Sequence, residues 1–194
     1  MFPAGKKTSR SVQDYNGPRE APGIVEHALQ TLDAAGVPPN IPQLTNKAVF
    51  EETCADDPTK LCVILFVPHI YDSSAKARQA YIATLGEVAK GLRGAPFSFL
   101  WSEGSAQEGL EKALDINYAY PTVAVLSASK KVFAVQRVSW SLKNIIAFLN
   151  GITTGGERTT ALAQGVPGVV KVAGWDGKDA AAPADETPLG DLMD

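Results

Sequence analysis

Leu61-Cys62-Val63-Ile64-Leu65-Phe66-Val67-Pro68-His69-Ile70-Tyr71-Asp72 is the stretch on which the fold turns. Its first seven residues are continuously apolar and rich in β-branched side chains, as in a strand buried on both faces; a strand with one wet face would alternate. Pro68 closes the run. Asp72, Ser73 and Ser74 then offer N-caps to a long helix whose Ala77, Tyr81, Leu85, Val88 and Leu92 recur at helical spacing, with Gly94 placed to stop it.

Upstream, a short helix over Asn46 to Cys54 ends at the Asp56-Asp57-Pro58 turn. Downstream, Phe97 to Trp101 reads as a strand, and Ser105-Ala106-Gln107-Glu108 fits a capping box that opens a helix running to about Leu114. Thr122 to Leu126 and Val132 to Arg137 form a hairpin around Ser127 to Lys131, and Ser141 caps a last helix through Leu142, Ile145, Ile146 and Leu149. The order is helix, strand, helix, strand, helix, strand, strand, helix. It predicts an α/β fold with parallel strands, helices on both faces and one antiparallel edge.

Four segments follow from this reading. Residues 1–35 hold one strand, Val12 to Tyr15, and one helix with Ile24, Val25, Ala28, Leu29 and Leu32 on a face that the pair cannot bury by itself. Residues 36–43 are a proline-rich linker, residues 44–151 the domain, and residues 152–194 a tail of fading periodicity. From Asp176 onward the tail has six acidic residues against Lys178 alone, the composition of a flexible acidic segment.

The 194 residues support one ordinary core. A net charge of -3 with dispersed Lys and Arg gives no electrostatic reason to expect nucleic acid. No apolar stretch is long enough to span a bilayer, so no membrane partner is expected, and Met1-Phe2-Pro3-Ala4-Gly5 is not a signal peptide.

Chemistry-bearing motifs are few. There is no P-loop, Gly-x-Gly-x-x-Gly, paired catalytic carboxylate, zinc spacing or Asn-x-Ser/Thr acceptor, and so no cofactor is expected. Trp175-Asp176-Gly177-Lys178-Asp179 has too few oxygen ligands for a calcium loop and reads as an exposed turn. The two cysteines, Cys54 and Cys62, have seven residues between them across a helix end and a strand start. This favours a structural disulfide, with two buried thiols as the alternative. His69, with no neighbouring Ser or Cys, is a loop imidazole without a nucleophile to serve.

The order of elements, with Tyr120-Pro121-Thr122 at the hairpin, resembles thioredoxin. In that fold the proline before this strand is cis and faces the redox loop, which makes Pro121 the cis candidate; an ordinary trans proline at a strand entrance is the alternative. Thr53-Cys54, Leu61-Cys62-Val63, Val67-Pro68-His69-Ile70, Leu100-Trp101-Ser102-Glu103, Tyr120-Pro121 and Trp175-Asp176-Gly177-Lys178-Asp179 occur in one order. From about Leu44 to Asp179 they resemble the C-terminal domain of the endoplasmic-reticulum protein disulfide isomerases of domain order a, a-prime, b. Phe2 to Lys7, Val12 to Arg19 and Ile24 to Leu32 look like the last strand and helix of a preceding catalytic domain, which implies a shortened N-terminus. A member would also be expected to end in a Lys-Asp-Glu-Leu-type signal, which Leu192-Met193-Asp194 is not.

Catalytic relatives carry Cys-x-x-Cys where this chain has Pro68-His69-Ile70-Tyr71, so the resemblance implies no catalytic residue here. It implies a vestigial active-site corner of Pro68, His69, Ile70, Tyr71, Tyr118 and Tyr120, able to hold an apolar peptide. It also implies the endoplasmic-reticulum lumen, with unfolded or partly folded clients and lumenal chaperones as partners. Two alternatives remain: an active parent isomerase whose Cys-x-x-Cys domains lie outside this sequence, and a thioredoxin-like scaffold in an assembly.

Overall fold

The computed structural model describes residues 15–34, 38–116 and 119–181. Val12 to Asp14, Tyr118 and residues 182–194 lie outside the described residues, and Tyr15 is not in a strand. In chain order the elements are α1 (Ala21–Ala34), α2 (Lys47–Phe50), β1 (Leu61–Val67), α3 (Ala75–Gly91), β2 (Phe97–Glu103), α4 (Glu108–Ala113), β3 (Thr122–Ser127), β4 (Val132–Val135), α5 (Leu142–Thr154) and β5 (Thr160–Ala161). A π-helical turn, Glu51–Ala55, continues α2.

The strands form one sheet in the order β2-β1-β3-β4-β5. The alternation of β1 divides the core: Val63, Leu65 and Val67 face Leu85, Val88, Ile145, Phe148 and Leu149 of α3 and α5. Cys62, Ile64 and Phe66 face Phe50, Cys54, Leu110 and Leu114 on the other side. With both faces covered, all of β1 beyond Leu61 is buried, and the arrangement is thioredoxin-like.

Among the named strands, β1 and β2 run parallel, whereas β1–β3, β3–β4 and β4–β5 are antiparallel. The expected single antiparallel edge is therefore corrected to three antiparallel pairings out of four in a mixed sheet, and helix length gives the reason. With 17 residues, α3 is about 25 Å long, enough to carry the chain back along β1 so that β2 starts beside its beginning. With six residues, α4 covers only about 9 Å against about 23 Å for a seven-residue strand. The chain stays at one end, and Thr122 begins β3 beside Phe66, near the end of β1.

The caps read at Ser74 and Ser141 form, their side chains accepting from Ala77 N and Asn144 N, and the Asn46 side chain caps α2 by accepting from Val49 N. The box at Ser105 does not form. Ser105 has φ 64°, in the left-handed region, and Glu111 instead reaches back to accept from the Ser105 and Gln107 amides.

The domain does not end at Gly151, nor does it begin at Leu44. Helix α5 continues to Thr154 and terminates on Gly155 at φ 74°. Beyond it, β5 pairs with β4, Leu162 is buried, and Val172 N donates to Thr45 O at 2.8 Å. Pro42 and Leu44 exchange backbone hydrogen bonds with Trp101, so the end of the proline segment is a sheet edge. The linker-and-tail division is corrected accordingly: residues 155–175 wrap the sheet from one edge to the other. The turn Asp176–Asp179 is exposed, but Trp175 is partly buried against the core.

Candidate functional site

The loop between β1 and α3 lies where the register carries β1 past β3. Phe66 pairs with Thr122, so Pro68 follows at the level of Tyr120 and Pro121, and the Tyr120-Pro121 bond is cis. Pro68, His69 and Ile70 are half-buried, and Tyr71 is 68% exposed. Ile70–Asp72 form one 3-10 turn, which His69 caps by accepting Tyr71 N–H at Nδ1, 3.3 Å away; the two rings stack at 5.3 Å.

Beneath the loop is a buried ion pair. The Arg78 side chain is fully buried, and its guanidinium donates to both Glu103 oxygens, at 2.9 and 3.3 Å, and to Pro68 O at 3.1 Å. Glu103 also accepts Ile70 N–H at 2.8 Å and has His69 Nε2 3.5 Å away. The guanidinium carbon lies 5.7 Å from the Trp101 ring centre and 5.1 Å from that of Trp175, both within cation–π reach.

Burial pushes the Glu103 carboxyl up, but hydrogen bonds from Arg78 and Ile70 and the charges of Arg78 and His69 outweigh it and hold the group below its ordinary 4.5. A carboxyl depressed by folding stabilises fully above its unfolded value, and the gain is lost as pH falls through the folded value. The urea midpoint should therefore fall more steeply below pH 4.5 in the unmodified chain than in Glu103→Gln. Parallel curves for the two would show that Glu103 contributes nothing to acid sensitivity.

Tyr120 faces the other way. Its hydroxyl donates to Glu111 and accepts from Ser105 N–H, and its ring rests over Gly104, where any Cβ would collide at 2.6 Å. Burial and the Glu111 carboxylate push the phenol up to about 12. Tyr118 is outside the described residues.

Cys54 and Cys62 are joined as a disulfide within the core on the α2 side of the sheet. Five residue steps of β1, roughly 17 Å, separate Cys62 from Val67 at the loop. The helix terminus that would acidify a thiol has none within reach.

A family profile described as PDIA6-like, C-terminal thioredoxin-like domain matches residues 31–157. The chain belongs to this family. It is 35% identical over 189 residues to the protein disulfide-isomerase A6 homolog of Drosophila melanogaster, covering 96% of this chain and 43% of that protein. With protein disulfide-isomerase A6 of Homo sapiens it shares 33% identity over 196 residues, covering 98% and 44%. It thus spans about two fifths of the length of these relatives. The crystal structure of the bb fragment of ERp72 aligns over 58% of this chain and 49% of its own, at 15% identity and a TM-score of 0.45.

In this PDIA6-like domain, reading the sequence missed Arg78, the centre of the site. A signal was present: Arg78, Tyr81, Leu85, Val88 and Leu92 step by three and four, so the arginine extends the apolar stripe of α3. An arginine on that stripe needs a buried anion, and Glu103 at the end of β2 supplies it.

Proposed function

We propose that this domain is the redox-silent, client-holding module of a protein disulfide isomerase that serves oxidative folding in the endoplasmic-reticulum lumen. Thiol chemistry in this reading is supplied by Cys-x-x-Cys domains elsewhere in the parent protein. One observation carries the reading. The junction of β1 and α3, where catalytic relatives by resemblance place their nucleophile, is built without sulfur on Arg78, Glu103 and His69, and both cysteines are tied together elsewhere.

Thiol exchange needs an accessible thiolate with a resolving partner, and Cys54 and Cys62 are 3% and 0% exposed. What the corner keeps is a fixed loop with Ile70 half-buried and Tyr71 exposed, beside the cis proline turn. Such a surface suits an extended apolar segment of an unfolded client, held weakly by shallow contacts. Tyr120 has its hydroxyl committed to Glu111, so in this site it supports the turn and leaves Ile70 and Tyr71 as the contact residues.

Two measurements test the proposal. Insulin reduction by dithiothreitol should run at the same rate with and without the protein; acceleration would refute the redox-silent part. Titration with an unfolded client should move amide signals around Ile70 and Tyr71, and Ile70→Asp should weaken the effect. Shifts confined to another face would leave the domain as a scaffold.

A further inference from the structure

Residues 170–179 lie along the domain as an added peptide would. Gln107, 1% exposed, holds Val170 by a two-way amide contact, donating to Val170 O and accepting Val170 N–H, each at 2.9 Å. Val172 N–H then pairs with Thr45 O at 2.8 Å on the sheet edge that 42–45 adds beside β2. Trp175 N–H donates to Gln43 Oε1 at 2.7 Å, and its ring covers the Arg78 guanidinium. The Asp176–Asp179 turn closes on itself through Lys178 O, which accepts Trp175 Nε1–H at 2.8 Å. It delivers the Asp179 carboxylate to Ala75 N–H, at the start of α3, at 2.5 Å.

Main-chain pairing at a sheet edge, an aromatic ring over a cation and a carboxylate on a helix N-terminus are three separate recognition devices. They are laid out over ten residues that belong to no helix or strand. The terminal anchors, Trp175 on Arg78 and Asp179 on Ala75, are spaced by the turn between them.

We propose that this segment is a displaceable strap and that the surface beneath it is a peptide-binding groove. The groove is formed by Gln43, Thr45, Arg78 and the start of α3. Its partner is a segment of another protein that pairs by its main chain and then carries an aromatic residue followed, four positions on across a tight turn, by a carboxylate. The strap's own sequence states that chemistry, with Trp175 and Asp179 in the two roles. Displacement uncovers the Thr45 carbonyl, one face of Arg78 and the Ala75 amide together, so a competitor must offer all three contacts. The inference does not rest on client binding at Ile70 and Tyr71, whose test is separate.

Hydrogen exchange on the full chain is the first test. Amides of Val170, Val172, Trp175 and Ala75 should exchange together, at least ~100-fold faster than those of Val63 to Phe66 in β1, as a local opening requires. Exchange of all of them at the β1 rate would mean that the strap leaves only on global unfolding, and would overturn the proposal. In the second test, a synthetic peptide of residues 168–181 is titrated into the full chain carrying Trp175→Ala and Asp179→Ala. It should shift signals of Gln43, Thr45 and Ala75, and bind the unmodified chain at least tenfold more weakly, because there the strap competes. Equal binding to both chains, or to neither, would overturn it. If the double variant loses its circular-dichroism signature of folding, the exchange result on the unmodified chain decides alone.

Discussion

Replacing Glu103 with alanine should cost about 3–5 kcal/mol of stability, the usual penalty for stranding one member of a buried ion pair. Arg78 is fully buried, and the Glu103 side chain is only 17% exposed. Without the carboxylate, the guanidinium keeps only Pro68 O among its oxygen partners here, and Ile70 N–H loses its acceptor as well. The measurement is a urea transition at pH 7, read as a midpoint shift at constant slope. A double variant, Arg78→Met with Glu103→Leu, removes both charges and should recover most of the loss, since apolar side chains of similar size avoid the desolvation that the pair must offset. A fall of under about 1 kcal/mol for Glu103→Ala would place the pair with exposed ion pairs instead. The loop would then have to be held by something else.

The second large effect concerns Cys54 and Cys62. The two sulfurs tie the π-helical turn after α2 to the start of β1, closing a short loop at a sequence separation of 8. In the chain-entropy account a loop of this size is worth about 2.5 kcal/mol, because the crosslink removes conformations from the unfolded ensemble. Replacing both cysteines with alanine should therefore lower the melting temperature by roughly 5–10 °C. Dithiothreitol should produce a shift of the same sign in the unmodified chain and none in the variant. Intact-mass analysis of protein made in the secretory pathway should find neither thiol open to alkylation under denaturing, non-reducing conditions. Two reactive thiols there would remove the bond from the account of stability. The bond lies at the opposite end of β1 from the loop, so its loss should leave the client-dependent shifts at Ile70 unchanged.

The sequence is most legible where a feature depends on neighbours. The burial of β1 follows from an unbroken apolar run, and Ser74 and Ser141 cap because an oxygen three residues ahead of a free N–H is a local arrangement. The missing thiol at the β1–α3 junction is likewise a matter of identity at one place in the chain. Together these give the α/β class, the sequence of elements and the identity of the residues at that junction.

Tertiary structure decided what depends on distant groups. Strand β3 runs against β1 because α4 is too short to cross the sheet, and only the folded length of α4 shows that. Ser105 and Glu108 satisfy the pattern of a capping box, yet the turn after β2 puts Ser105 at positive φ and gives the role to Glu111. Arg78 is an ordinary surface-type residue until Glu103, 25 positions on, meets it inside the domain. The tail has no periodicity of its own because its order is borrowed: Asp179 finds Ala75 across 104 positions, and Trp175 finds Gln43 across 132. Periodicity and capping record interactions within about one helical turn of the chain. Charge burial, strand direction and the path of an irregular segment are set by groups that only folding brings within hydrogen-bonding distance, and no local pattern encodes them.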